Sequence, residues 1–137
     1  MNRKMERMRE QMEMIIGGAF QGKKDFAKAA YPLLHWCDGR EASEEEILKA
    51  GGILDFQEYI RRCLADGQDV SLLAEKLIEA NPDVVLTCDE VGYGVVPMDA
   101  FERQYREAVG RVCTKLAAHS AKVTRVICGI GTVIKHV

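Results

Sequence analysis

The chain reads as an α/β domain in which a mostly parallel sheet lies between layers of helices, and three observations carry that expectation. Apolar, β-branched runs alternate with segments of helical period along its 137 residues, the order that builds parallel sheets. Val84 to Cys88 is a continuous run bounded by turn residues, as in a strand buried on both faces. The apolar run Met14, Ile15, Ile16 stops at a glycine-rich loop that a helical pattern (Phe26, Ala27, Ala30) follows.

That loop is the most informative stretch. Gly17, Gly22 and Lys23 fall at the spacing G-x-x-x-x-G-K of a phosphate-binding loop, so Gly17, Gly18, Ala19, Phe20, Gln21, Gly22, Lys23 and Lys24 form the candidate nucleotide site. Glycines permit positive φ and close backbone approach, which lets successive N–H groups curl around a phosphate. A helix starting near Gly22 adds its positive dipole end, and the Lys23 ammonium is placed to reach the β and γ phosphates. The motif continues with a Ser or Thr whose hydroxyl ligates Mg²⁺; this chain has Lys24 there.

Composition bounds the rest. The length suits one domain with a single core. Hydrophobic content of 47%, charge of 29% and a net charge of -2 describe a globular chain with no pull toward nucleic acid or anionic membranes. No apolar run approaches the roughly 20 residues of a membrane span. Five cysteines without a C-x-x-C pair fit reduced thiols, so a cytoplasmic location is expected. Residues 1–11, charged and Met-rich, are expected to be a poorly ordered extension, with Met12 or Met14 equally natural starts, and 12–137 to form the nucleotide-binding domain.

Lys23 to Ala30 is expected to be a helix ended by Pro32, Tyr31 to Trp36 a short strand, and Cys37 to Ala42 a turn. Ser43 and Glu46 form a capping box for a helix to Lys49. Ile53 to Phe56 is either a short strand or the entry to the helix of Phe56, Tyr59, Ile60, Cys63 and Leu64. Asp69 or Ser71 would cap a helix with an apolar face of Leu72, Leu73, Leu77 and Ile78. Asp99 would cap the longest helix, striped by Phe101, Tyr105, Ala108, Val109, Val112 and Leu116, with Glu102/Arg106 and Glu107/Arg111 pairs on its other face. Gly110 within it costs roughly 1 kcal/mol against alanine, which suggests close packing or a ligand. Val123 to Cys128, a tight turn, and Thr132 to Ile134 complete the chain.

The strand Val84 to Cys88 delivers Asp89 and Glu90 at its carboxyl end, the sheet edge where ligands of open α/β sheets bind. Paired acids there would hold a metal-bound water or orient an acceptor hydroxyl. Gly92 and Gly94 flank Tyr93, which could stack on a flat group.

D-E-V-G-Y-G-V-V-P (Asp89 to Pro97), F-E-R-Q-Y-R-E-A-V-G-R (Phe101 to Arg111), L-A-A (Leu116 to Ala118) and C-G-I-G-T-V-I-K (Cys128 to Lys135) resemble the bifunctional adenosylcobinamide kinase and adenosylcobinamide-phosphate guanylyltransferase family of cobalamin biosynthesis. The resemblance implies a RecA-like P-loop fold, GTP or ATP as nucleotide, a corrinoid acceptor, a guanylylated histidine intermediate and trimeric assembly. It also implies that Lys23, Asp89 and Glu90 carry catalysis, that Gly92, Tyr93, Gly94 and Arg111 belong to the substrate side, and that Asp55 joins Asp89 and Glu90 as a metal ligand.

The chain departs from that pattern at Gln21, Lys24, Asp89, Cys113 and Thr114, and its middle is much shorter. The family's nucleophile segment R-I-x-x-H-x-x-x-R-P has no clean counterpart: His35 and Arg40 are one residue too far apart, and Glu41 stands where proline should be. Guanylyltransfer is therefore doubtful. A kinase, a nucleotide-binding protein without catalysis and a structural partner of a cobalamin enzyme all remain open on sequence alone.

Overall fold

The computed structural model describes residues 11–91 and 99–137. The candidate residues Gly92, Tyr93 and Gly94, and all but Gln11 of the N-terminal extension, lie outside the described residues. Within them the order is β1 (Glu13–Gly17), α1 (Lys23–Ala30), β2 (Trp36–Asp38), α2 (Glu44–Lys49), β3 (Gly52–Leu54), α3 (Phe56–Ala65), α4 (Leu73–Ala80), β4 (Val85–Asp89), α5 (Ala100–His119), β5 (Lys122–Ile127) and β6 (Ile130–His136).

The strands form one sheet in the order β2-β3-β4-β1-β5-β6. All neighbours are parallel except the terminal hairpin β5–β6. β1 is central, with Gly17 registered against Asp89 of β4. Because side chains alternate along a strand, Met14 and Leu86 enter the larger core with α3, α4 and α5, whereas Ile15, Val85 and Val126 enter a smaller one with Ala27 of α1. The sheet therefore carries apolar helices on both faces.

Several local rules act as the sequence suggests. Ser43 and Glu46 make a complete capping box, and the Asp99 carboxylate accepts from the Phe101 and Glu102 N–H groups. Tyr105, Val109, Val112 and Leu116 of α5 are buried.

Four expectations are corrected. The strand expected over Tyr31 to Trp36 runs instead over Trp36–Asp38, because Pro32 and the chain after α1 take up the intervening residues as turn. Neither Asp69 nor Ser71 caps α4: Asp69 accepts from the Ser71 N–H in a local turn, the N-cap is Leu72 without a side-chain bond, and Leu72 is exposed. Glu102 meets Arg61 of α3 at 2.6 Å, whose guanidinium also covers the Tyr105 ring; a partner on the packed helix replaces the i, i+4 pair with Arg106. Gly110 is not closely packed, since a Cβ there meets nothing within 4 Å.

Candidate phosphate and acid site

β1 ends at Gly17, where a Cβ would collide with the Val126 carbonyl of β5, so only glycine lets the chain turn away there. The loop closes at Gly22, which caps α1 in the left-handed region (φ 87°), a conformation glycine adopts without cost. Phe20 takes the same region (φ 62°) with its ring fully exposed. The Gln21 carbonyl accepts from the Gly129 N–H at 2.8 Å, and its side-chain oxygen accepts from the Cys128 N–H at 2.8 Å. Gln21 thus fastens the loop to the β5–β6 turn.

Among the described residues, no hydrogen bond is donated by the backbone N–H groups of residues 18–22. The first-turn N–H groups of α1 likewise lack intrahelical partners, as at any helix start. A run of free donors at a helix N-terminus is an anion-binding concavity.

Lys23 is buried, at 5% exposure. Its ammonium donates to the Gly18 carbonyl at 2.6 Å and lies 2.7 Å from Asp89 Oδ1. Asp89 reaches this position because β4 runs parallel to β1 and ends level with Gly17, and its N–H donates to the side chain of buried Gln57 at 3.0 Å. Glu90 donates its N–H to the Gly17 carbonyl at 2.8 Å, and its carboxylate pairs with Arg125 of β5 at 2.9 Å. A cavity of about 360 Å³ opens beside these acids, lined also by Val91, Gly110, Cys113 and Thr114. Cys88 and Cys113 face each other there at 3.4 Å.

A second cluster forms one strand further out. Asp55 follows β3, is buried at 4% exposure and takes a left-handed conformation (φ 53°). Its N–H donates to Thr87 Oγ1 at 2.8 Å. Its carboxylate pairs with Lys24 Nζ at 2.8 Å and with the Arg40 guanidinium. Burial opposes the Asp55 charge, but Lys24 and then Arg40 outweigh it and hold the carboxyl below its ordinary value.

The structure therefore brings Gly17, Gly22, Lys23, Asp89 and Glu90 together at one sheet edge, with Lys24 and Asp55 alongside. It does not bring in Arg111, which is exposed, lies 3.8 Å from Glu107 and lines a separate cavity with residues of the 64–71 stretch. One helical step of about 100° beyond Gly110 turns it away. His35 is exposed just before β2, and since β2 to β4 and β1 are parallel it stands at the edge opposite the loop.

Sequence reasoning missed Gln57, Thr87 and Arg125, and weighed Arg40 only beside His35 rather than as a partner of Asp55. Thr87 alone carried a signal, a lone hydroxyl inside an apolar strand.

Residues 56–134 match the model of the cobinamide kinase / cobinamide phosphate guanyltransferase family. The chain belongs to that family. The chain is similar to the bifunctional adenosylcobalamin biosynthesis protein CobU of Salmonella typhimurium, 46% identical over 93 residues that make up 65% of this chain and 50% of the relative. The Escherichia coli (strain K12) protein of the same description is 46% identical over 52 residues, 38% of this chain and 29% of the relative. The chain thus spans half or less of the length of these curated relatives. The family match starts at Phe56, so the loop of residues 17–24 rests on its own geometry. No helix among the described residues is long and apolar enough to cross a membrane.

Proposed function

We propose that this chain binds GTP or ATP across the loop of residues 17–24 and acts as a kinase-type phosphotransferase on a corrinoid hydroxyl, as its family's description suggests. The observation that carries the reading is the meeting of Lys23 with Asp89 beneath a loop whose N–H groups are free. The free donors and the α1 terminus would take the phosphate oxygens, and Lys23 would exchange the Gly18 carbonyl for the β and γ phosphates. The acceptor oxygen would bond to the γ phosphorus as the bridge to the β phosphate breaks, with Asp89 or Glu90 taking the hydroxyl proton. Gly92, Tyr93 and Gly94 lie outside the described residues and stay candidates for the substrate side on the family resemblance alone. A trimer, implied by the family, would supply further contacts.

The histidine-dependent guanylyl transfer is not part of this reading, because His35 stands at the opposite edge.

The fold favours a RecA-like P-loop assignment, since the phosphate loop follows the central strand β1 and Asp89 and Glu90 stand at the end of its neighbour β4. The residues suit a divalent metal poorly: position 24 offers an ammonium in place of a hydroxyl, and Asp55, Asp89 and Glu90 each already have a cationic partner.

The test is thermal. A ligand at 100 times its dissociation constant stabilises the folded state by about 2.7 kcal/mol, which for a domain of this size moves the melting point by roughly 8 to 15 °C. GTP or ATP should give such a shift, and Lys23→Ala should abolish it. No shift at millimolar nucleotide in the unaltered protein rejects the reading.

A further inference from the structure

We propose that Lys24 is a resident cation of the phosphate site, so that this chain binds its nucleoside triphosphate without a divalent metal; the inference rests on the nucleotide-binding reading above. Lys23 and Lys24 are the first two residues of α1, so both side chains leave the helix end that faces the loop. Lys23 turns to Asp89 of β4, and Lys24 reaches Asp55 at the end of β3, the next strand out.

The pairing fixes Lys24 in a way a surface lysine is not fixed. Asp55 is almost fully buried, its main chain is pinned by Thr87, and Gly39 packs so tightly beneath it that a Cβ there would strike the Asp55 carbonyl. The carboxylate is therefore a rigid anchor. Lys24 retains 42% side-chain exposure, so the pairing with Asp55 does not enclose its side chain.

The pairing pattern points the same way. Lys23 neutralises Asp89, Arg125 neutralises Glu90, and Lys24 and Arg40 share Asp55, with Asp38 3.8 Å from Arg40. These four carboxylates each already have a cationic partner. Among the described residues no group of three His, Cys, Asp or Glu side chains could hold a metal ion. A divalent ion entering here would have to displace an ammonium or a guanidinium from its carboxylate. A free nucleotide polyphosphate meets the cations already in place.

Titration calorimetry with GTP and with ATP, in EDTA and in millimolar MgCl2, decides the matter for the unaltered protein, Lys24→Ser and Lys24→Arg. The unaltered protein should bind its nucleotide with less than about threefold difference between the two buffers. Lys24→Ser should lose about tenfold or more in EDTA and regain part of it with Mg²⁺. Lys24→Arg, which keeps the charge, should stay metal-independent, and circular dichroism should show all three folded alike.

A tenfold or greater dependence on Mg²⁺ in the unaltered protein overturns the inference while leaving nucleotide binding intact. So does a Lys24→Ser protein that binds in EDTA as tightly as the unaltered one. Absence of binding by the unaltered protein in both buffers overturns the nucleotide-binding reading itself.

Discussion

The backbone N–H of Asp55 donates to the hydroxyl of Thr87 at 2.8 Å, joining the end of β3 to the middle of β4 in the interior. Thr87 is fully buried, so no water replaces it as acceptor. Thr87→Val keeps the shape and orphans the donor, which costs about 1 to 3 kcal/mol and lowers the melting point by roughly 3 to 15 °C. Thr87→Ser should recover most of the loss. A Thr87→Val protein melting within a degree of the original would show that this bond does not hold the site.

Gly110 lies within α5 with open space where its Cβ would be. Alanine there should reduce the freedom of the unfolded chain without a clash. The expected gain is about 0.5 to 1 kcal/mol, read as a higher urea midpoint at unchanged slope. A loss of stability would mean that the cavity beside α5 needs its bare backbone.

Asp55 supplies a pH test. Its carboxyl is held below its ordinary value in the folded protein, burial being outweighed by Lys24 and Arg40. A depressed folded value means that the pair stabilises fully above the ordinary carboxylate pKa of about 3.9 and that this contribution fades as pH falls through it toward the folded value. Asp55→Asn should thus be less stable than the original at pH 7, with the gap between their urea midpoints narrowing from pH 5 to pH 3. A gap constant over that range contradicts the assignment.

The thiols should divide by burial. Cys128 is exposed in the β5–β6 turn, whereas Cys37, Cys63 and Cys88 are buried. Burial, then Glu46, pushes the Cys37 thiol up to about 11, and the contact with Cys113 together with burial raises Cys88 well above the ordinary range. Since the thiolate is the reactive form, iodoacetamide at pH 8 should modify Cys128 first and leave Cys37 and Cys88 intact until the protein is denatured. Mass mapping showing Cys88 among the early adducts would contradict this burial.

Local chemistry was legible in the sequence, and meetings between distant segments were not. The capping box of Ser43 and Glu46, the Asp99 cap and the buried strand ending in Asp89 each follow from residues a few positions apart. The loop spacing of Gly17, Gly22 and Lys23 could likewise be read directly. The Lys24–Asp55–Arg40 cluster could not, because its members sit on α1, after β3 and on the turn after β2, and only the strand order makes them neighbours. The strand Trp36–Asp38 is too short to show an alternating pattern. At Asp69, two local bonds compete for one carboxylate, and the turn prevails over the helix cap. Arg111 was grouped with the site by the family resemblance, whereas on α5 it is exposed and lies 3.8 Å from Glu107.

Gln21 holds backbone groups of residues more than a hundred positions away, and β1 pairs only with β4 and β5. During synthesis, β1 therefore waits for β4 (Val85–Asp89) before one edge is paired and for β5 (Lys122–Ile127) before the other. Contacts of such long sequence separation slow folding and leave apolar strand edges open meanwhile. The anion pocket is consequently among the last parts of the molecule to take shape, and a nascent chain that ends before β5 cannot yet complete it.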